Sequence, residues 1–308
     1  MELRHLRYFL VVAEELHFAR AAEILGIAPP TLSVQIRELE RQLQAQLFVR
    51  TKRSVALTSA GRDFVVQAQA VLARFDQAID VGRRAGRGEL GRVEIGYVGS
   101  AVFGGILQQQ ISAFRRRWPQ ASVHAREWPM DQLADAVEEG KVDIAFLRMP
   151  LPLGPALQSH VLLRDRFCLA LPSDHALASA SASASTSTLA TVRSRALAQD
   201  AFILPEQELG SREVWRRGGF EPRSVSRPGG LLAVLAEVSV GAGVAVVPGV
   251  LTSVVTLPNV CYRALAGAPL VSEVAAVFRR HERAPAVRNM ISAIRASKPV
   301  QLYAAWAA

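Results

Sequence analysis

The sequence of 308 residues lacks the features that mark secreted, membrane-spanning and disulfide-stabilised proteins. Its two cysteines, Cys168 and Cys261, each lie in an apolar run, which favours reduced, buried thiols over a disulfide. The amino terminus has no signal-peptide core, and no apolar run reaches the roughly 18 residues that span a bilayer. We therefore expect a cytoplasmic protein that does not bind a membrane.

Catalytic and metal-binding patterns are missing too. No Cys/His cluster has the spacing of a metal site, and the histidines are scattered along the chain. We expect no enzymatic activity, no metal and no cofactor. The net charge of +9 allows a polyanionic partner, but the excess of basic residues is not concentrated at the amino end. Any inference about nucleic acid therefore depends on where individual basic residues lie.

Residues 18–57 predict a helix, a short turn, a second helix and a basic hairpin. Gly26 ends the first helix, and the second runs from 29 to 43. Apolar residues recur in the second helix at about 3.6 residues per turn and form one stripe: Leu32, Ile36, Leu39 and Leu43. The opposite face carries short polar and guanidinium groups, as a helix in the major groove of DNA requires.

The basic hairpin decides between two interpretations of residues 18–57. Two β-prone runs flank residues 51–54, which predict a tip that can lie against phosphates or enter a minor groove. An ordinary three-helix module with solvated charges, including a first helix over 3–16, would explain the helical pattern alone. The helices together with the hairpin favour DNA binding.

A long helix is predicted to begin at Thr58 or Ser59 and to run to about Gly82. Its apolar residues have nearly heptad spacing: Phe64, Ala68, Val71, Phe75 and Ile79. We interpret it as a dimerising linker; the alternative is an amphipathic helix that lies on its own domain. The polar residues 83–88 would form the hinge after it.

The remainder alternates strands and helices. Strands over 92–98, 122–127 and 142–147 with helices over 102–118 and 130–139 predict a βαβαβ unit and a mainly parallel sheet.

A longer apolar strand over 161–171 would pass into a second lobe, and the strand over 260–266 would return to the first. A strand over 273–278 and a helix over 284–296 would complete the first lobe. The Ser/Ala-rich residues 176–192 predict a mobile surface loop.

Three segments, 6–43, 47–61 and 240–249, resemble the LysR-type transcriptional regulators. The resemblance implies an α/β protein with a winged helix-turn-helix, a linker helix and a two-lobed effector domain like the type 2 periplasmic binding proteins. It places these domains at 1–58, 59–88 and 89–308, with lobe I at about 89–163 and 267–308 and lobe II at about 164–266. Segments 94–103, 143–150 and 165–177 are most similar to the branch that senses aromatic-catabolism intermediates.

The resemblance also implies partners: double-stranded operator DNA, a small-molecule effector and a homo-tetramer built as a dimer of dimers, with RNA polymerase as a possible further partner. Two residues depart from the family pattern. Pro29 stands where Gln or Ser is frequent, which removes a possible base contact, and Gln44 stands where Gly is usual. A residue other than glycine at 44 needs a different helix cap or a strained φ.

The candidate DNA-binding residues follow from the helical wheel, the hairpin and the family pattern. They are Arg20, Pro30, Thr31, Ser33, Arg37, Arg50, Lys52 and Arg53. Those on the second helix would lie near base edges or phosphates, and those on the hairpin would contact phosphates or the minor groove. The alternative for each arginine among them is a solvated surface charge.

The candidate effector-binding residues lie where strands end at the expected cleft. They are Ser100, Ala101, Trp128, Arg148, Phe202 and Pro205. Ser100 would cap a helix whose free amides bind a carboxylate, although simple capping explains it too. Arg148 could pair with an acid or bridge the lobes. Glu206 is unexpected in an anion pocket, so the effector is not a simple dicarboxylate or Glu206 points away.

We expect a ligand-responsive transcription factor whose effector is an aromatic or unsaturated carboxylic acid. A solute-binding protein would share the two-lobed fold, but residues 1–88 and the missing signal peptide argue against it. A DNA-binding regulator without a functional effector site remains an alternative.

Overall fold

The computed structural model describes residues 1–51, 54–178 and 191–302, and the chain divides into two compact units, 1–84 and 85–308. The first unit contains three short helices, a hairpin and most of a long helix: α1 Leu3–Glu15, α2 Phe18–Ile24, α3 Pro29–Leu43, β1 Phe48–Arg50, β2 Val55–Leu57 and α4 Ser59–Gly86. The predicted helix-turn-helix and antiparallel hairpin are confirmed. Gly26, at φ +65°, forms the turn after α2.

The core of the first unit is built from the inner faces of these helices. Phe9 is fully buried and contacts the rings of Phe48 and Phe64 at centroid distances of 5.4 and 5.1 Å. Phe48 comes from the hairpin and Phe64 from α4, so one aromatic cluster joins α1 to both. The hairpin and the start of α4 are therefore fixed relative to α1, whose core is shared by the buried stripe of α3.

Helix α4 begins where the sequence predicts, since the amide of Gly61 donates to Thr58 Oγ1 at 2.8 Å and Thr58 thus acts as the cap. It continues to Gly86, so the prediction of a hinge from residue 83 was wrong. Arg83 and Arg84 are good helix formers, and their charge is favourable in a last turn. The chain turns instead at Gly88, at φ +71°.

Lobe I of the second unit is a sheet covered by helices. Its elements are β3 Gly91–Tyr97, α5 Gly99–Phe103, α6 Ile106–Arg117, β4 Ala121–Glu127, α7 Met130–Glu138, β5 Ile144–Met149, the first half of β6 Leu157–Pro172, and the returning β12 Val271–Arg279 and α11 Pro285–Ala296. The neighbouring pairs β4–β3 and β3–β5 are parallel, as is the pair of β6 with β13 Val300–Gln301, whereas β5–β12 and β12–β6 are antiparallel. The predicted βαβαβ unit with parallel strands is confirmed, and β12 is the antiparallel strand among these, because it re-enters lobe I from the opposite direction.

The prediction of a single helix over 102–118 was also wrong. The chain forms α5 and α6 with a break at Gly104 and Gly105. Gly105 has φ +71°, and a Cβ on Gly104 would lie 2.6 Å from Leu163 Cδ2. Close packing against β6 and a left-handed residue therefore interrupt the helix.

Lobe II is built around the second half of β6. Its elements are β7 Thr191–Val192, a 3-10 helix Ser194–Leu197, β8 Phe202–Pro205, α8 Leu209–Gly218, β9 Val225–Gly229, α9 Leu231–Ser239, β10 Ala245–Pro248, α10 Leu251–Val254 and β11 Val260–Leu265. Strand β11 pairs with Cys168–Pro172 of β6 and stays in lobe II, so the prediction that it returns to lobe I was wrong. The return is made by β12 Val271–Arg279, followed by α11 Pro285–Ala296 and β13 Val300–Gln301.

Strand β6 passes through both lobes, as the sequence predicts, and a cleft separates the lobes beside it. Its first half pairs with β12, and its second half pairs with β10 and β11. Cys168 on this strand is free and fully buried, and burial raises the pKa of its thiol. Most of the predicted Ser/Ala loop, residues 179–190, lies outside the described residues. Within the described ranges, no helix is both long and apolar enough to cross a membrane.

Candidate functional sites

Helix α3 presents a polar outer face. The predicted reading residues lie opposite its buried stripe, three of them exposed and the last half-buried: Pro30, Thr31, Arg37 and Ser33. Pro29 and Pro30 occupy the first turn and have no amide hydrogens to donate. This helix start therefore offers phosphate fewer backbone donors than usual, and recognition has to rely on side chains.

The arginines near this face differ in how they are held. Arg41 donates to Glu38 from Nε at 2.8 Å and from Nη2, and these hydrogen bonds lower the pKa of Glu38 to about 2. Arg20 lies beside the Glu15 carboxylate, with Nε 3.2 Å from Oε2. Arg37 is exposed and has no hydrogen bond or ion pair with any described residue. It is therefore the guanidinium on α3 most available to a nucleic acid.

The hairpin is tied to the recognition helix through Glu40. Its Oε1 accepts from the amides of Leu47 and Phe48 at 2.9 and 3.1 Å, and its Oε2 accepts from Arg50 at 2.9 Å. The Arg50 guanidinium also lies 4.5 Å from the centre of the Phe18 ring. Arg50 thus connects the hairpin to two helices, and only its exposed edge can contact DNA. Lys52 and Arg53 lie outside the described residues.

The cleft between the lobes contains a cavity with an empty volume of about 490 Å³, including its open mouth. Lobe I contributes the ends of β3, β4 and β5 with the starts of α5 and α7. Lobe II contributes the ends of β8, β9 and β10 with the start of α9. Four predicted effector residues line it: Ser100, Trp128, Arg148 and Pro205.

Arg148 is the buried charge of this cavity. It is 5% exposed, its Nη1 donates to Ser272 Oγ, and it makes no ion pair with a described residue. Burial lowers the pKa of its guanidinium to about 10, while the nearby Asp165 partly offsets this effect. The Phe167 ring lies 5.8 Å from the guanidinium carbon. A positive charge is therefore held against the cavity with only a neutral hydroxyl as its hydrogen-bond acceptor.

Asp165 is the nearest acid, but its carboxylate is occupied. Its Oδ2 accepts from the amide of Val250 at 2.6 Å, and its Oδ1 accepts from the amide of Arg166 at 2.8 Å. Burial raises the pKa of Asp165, and these amides and the charge of Arg148 act in the opposite direction. Asp165 and Ser272 are register partners on β6 and β12, where the chain passes between lobes. Sequence reasoning missed both, because their role depends on pairing between strands distant in sequence.

Ser100 lines the cavity but does not cap the helix, so that prediction was wrong. Helix α5 begins one residue earlier, at Gly99, with Val98 as its cap residue. Ser100 is 1% exposed, and its Oγ has no hydrogen-bond partner among the described residues. An unpaired buried hydroxyl costs free energy unless a partner completes its hydrogen bonding, which makes Ser100 a candidate ligand contact.

Two predicted cleft residues are core residues instead. Ala101 is fully buried in lobe I, and its amide already donates to Val98 O at 2.9 Å. Phe202 is buried in lobe II against the rings of Trp215 and Phe220. Neither lines the cavity, so the prediction that they contact the effector was wrong. Ala101 lies on the buried side of α5. Phe202 lies on β8, where successive residues point to opposite sides, and it points into the core of lobe II.

The cleft also contains residues that the sequence did not single out. The start of α9, at Gly230 and Leu231, borders the cavity, as do Gln207 and Glu127. Gly229, at φ +98°, makes the turn before α9 and is the one available signal for this site. Among the described residues no cluster of His, Cys, Asp and Glu could hold a metal ion.

Comparison with known protein families gives two matches that together cover nearly the whole chain. Residues 3–62 match the family described as bacterial regulatory helix-turn-helix protein, lysR family. Residues 86–298 match the LysR substrate binding domain. The two matches correspond to the unit that contains α3 and the unit that contains the cleft.

Individual proteins resemble the chain over the same extent. The uncharacterized HTH-type transcriptional regulator YnfL of Escherichia coli (strain K12) is 34% identical over 296 residues, covering 94% of this chain and 96% of YnfL. BenM of Acinetobacter baylyi is 29% identical over 304 residues, covering 99% and 97%. The crystal structure of full-length CbnR complexed with its target DNA has a TM-score of 0.76 at 24% identity, covers 96% of this chain and 99% of that one, and shows a shared fold.

Proposed function

The chain belongs to the LysR family of bacterial transcriptional regulators, and we propose that its effector is a small aromatic or unsaturated carboxylic acid bound in the interlobe cavity. Family membership makes it a DNA-binding regulator with an effector-binding domain. The proposal concerns which ligand the second unit binds, which residues contact it and how binding reaches the DNA.

This proposal rests on the burial of the Arg148 guanidinium without an ion pair to a described residue. Removing a guanidinium from water costs several kcal/mol, on the order of the desolvation penalty of a buried ion, unless an anion compensates it. Within the described residues Arg148 makes no ion pair, Asp165 offsets the cost of its burial only in part, and Arg148 faces a cavity that opens to solvent. A ligand carboxylate would supply the missing charge, and Ser100 Oγ would donate a second hydrogen bond.

The walls of the cavity favour an unsaturated or aromatic body on that acid. Trp128 and Phe167 present aromatic rings, and Val98 and Leu231 contribute aliphatic surface. A flat apolar group can stack on such rings while its carboxylate points to Arg148.

For DNA, we propose that Arg37 and the neighbouring Thr31 and Ser33 read the major groove from α3, and that the hairpin contacts phosphates. This assignment rests mainly on Arg37, because it is exposed on the outer face of α3 and makes no ion pair with a described residue. Arg50, Lys52 and Arg53 would supply sequence-independent contacts, and Arg20, already beside Glu15, is a weaker phosphate candidate.

We propose that α4 pairs two copies of the chain and that two such dimers form a tetramer. Exposed apolar side chains recur along one side of α4 at nearly heptad spacing: Val71, Phe75 and Ile79. Covering such a stripe with a second helix would remove it from water, and a dimer would present two α3 helices to two half-sites. The effector would shift the balance between dimer arrangements by its difference in affinity for them, and so control access of RNA polymerase.

A thermal-shift screen of the full-length protein against aromatic and unsaturated acids tests the effector assignment. We expect several acids to raise the melting temperature, because a ligand that binds only the folded state stabilises it. Footprinting on operator DNA with and without the best acid would then show whether protection or bending changes. Intact DNA binding with no stabilising acid would instead support a regulator without a functional effector site.

A further inference from the structure

Glu206 joins the two lobes at the mouth of the cavity. It follows β8 in lobe II, and its Oε2 accepts a hydrogen bond from the amide of Met130 in lobe I at 3.1 Å. Met130 is the first residue of α7, a helix of nine residues whose N-terminal amides favour a negative charge. One anion-binding position of the cleft is thus occupied by a carboxylate of the protein itself.

The charges around the cavity are unequal. Arg148 is the cation among the described lining residues, while Glu127 and Glu206 are carboxylates. One incoming carboxylate can pair with Arg148. A second carboxylate on the same ligand would find the α7 amide of Met130 already bonded and a like charge beside it, which is unfavourable.

The polar cavity atoms that lack a hydrogen-bond partner also differ between the two lobes, with a donor in lobe I and an acceptor in lobe II. Ser100, 1% exposed, has an Oγ without a partner and can donate to a carboxylate. Gln207 has a buried Oε1 without a partner, and this oxygen accepts hydrogen bonds and repels anions. Ser100 belongs to lobe I with Arg148, and Gln207 follows Glu206 in lobe II.

We infer that Glu206 is a specificity-determining residue that restricts the effector to monocarboxylic acids by holding the α7 position against a second carboxylate. The inference rests on the proposed function, because it presupposes that acids bind in this cavity. The group opposite the bound carboxylate is then neutral, and a ligand hydroxyl or amide that donates to Gln207 Oε1 strengthens binding.

Pairs of acids that differ in one group test this inference on the full-length protein. Crotonate and fumarate share a carbon skeleton and differ by a methyl group in place of a carboxylate; 4-methylbenzoate and terephthalate differ in the same way. Calorimetric titration gives the dissociation constant of each acid. For the natural protein we expect each monoacid to bind at least tenfold more tightly than its diacid.

Glu206→Gln removes the charge and keeps the shape, and Glu206→Ala removes the whole carboxylate. Both should lower the preference for the monoacid at least fivefold, through tighter binding of the diacid. Glu139→Gln is the matched control, since it removes one negative charge from an exposed residue paired with Lys141 outside the cavity. It should leave the preference unchanged.

The outcomes separate the inference from the proposed function. Monoacids that bind all four proteins with an unchanged preference would overturn the role of Glu206 and leave the effector site standing. A natural protein that binds diacids more tightly than monoacids would overturn it as well. Failure of every acid to bind the natural protein and both Glu206 variants would overturn the proposed effector class, and with it this inference. Melting temperatures of the free proteins report whether the variants are folded.

Discussion

Arginine plays different parts on the DNA-facing surface of residues 1–84 and in the cleft of residues 85–308. Arg37 on α3 is exposed and unpaired, so water solvates its charge and the folded protein loses little by carrying it. Arg148 is 5% exposed with a hydroxyl as its only hydrogen-bond acceptor, so its charge opposes folding. Neither arginine makes an ion pair with a described residue, but only the buried one stores an unfavourable free energy that a ligand can relieve.

This difference predicts opposite mutational signatures for the two residues. A substitution in the cleft should change ligand affinity and leave the free protein as stable as before or more stable. A substitution on α3 should change DNA affinity and leave stability unaltered. The same residue type thus marks a ligand site where it is buried and a nucleic-acid surface where it is exposed.

The largest effect is expected for Arg148→Met. Removing the cation should weaken binding of the best carboxylic acid by ~2–5 kcal/mol, because a buried charge pair would lose one partner. Calorimetric titration measures this loss, and the melting temperature of the ligand-free protein should not fall. Arg126→Met is the control, since Arg126 is exposed, lies over Trp128 at 4.6 Å and does not line the cavity. An unchanged affinity of Arg148→Met for the acid would show that the buried charge of Arg148 does not bind the ligand.

The next effect is expected for Phe75→Asp on α4. A carboxylate placed on the exposed apolar stripe would have to be buried in a helix pair, which we expect to cost ~2–4 kcal/mol for the interface. Light scattering should show the assembly dissociating, and operator affinity should fall because single modules bind less tightly than pairs. Gln77→Asp, on another side of the same helix, should leave the assembly intact. An unchanged oligomeric state in Phe75→Asp would exclude α4 as the interface.

A smaller effect is expected for Arg37→Ala. Loss of one guanidinium contact should weaken operator binding by ~1–3 kcal/mol with no change in melting temperature. A base contact would relax sequence preference, whereas a phosphate contact would weaken all sequences and lower the salt slope by about 1. Arg41→Ala is the control, because Arg41 is paired with Glu38. Equal losses for both variants would show that pairing within the protein does not decide which arginine meets DNA.

Sequence reasoning located the recognition helix better than the cleft, for a physical reason. The bounds of α3, Pro29–Leu43, agree with the prediction because they follow from local signals: an apolar stripe at helical spacing that ends at Leu43, and prolines at the start. In the cleft the sequence placed the strand ends correctly but could not say which side each residue faces. Ala101 and Phe202 therefore proved to be core residues.

Contacts between distant segments account for what else the sequence could not predict. Glu206 accepts a hydrogen bond from Met130, 76 positions away in the chain, and Arg148 donates one to Ser272, 124 positions away. No local pattern encodes such pairs. The helix break at Gly104 likewise depends on Leu163 of another strand. The family resemblance thus predicts that a cleft exists, while the polarity of the cleft is decided by tertiary packing.

The smallest effect is expected for Gln44→Gly at the end of α3. Gln44 is exposed and left-handed, at φ +50°, where glycine is less strained, so the variant should be more stable by ~0.5–1 kcal/mol. Chemical denaturation followed by helical circular dichroism measures the gain. The neighbouring Gln46 has no positive φ, and Gln46→Gly should lower stability. The buried charge of Arg148 is proposed to bind a ligand, whereas the strained φ of Gln44 is not expected to support any contact. Operator affinity of Gln44→Gly should therefore stay within twofold, roughly 0.4 kcal/mol. A larger loss of affinity would show that the strained turn positions α3 for DNA.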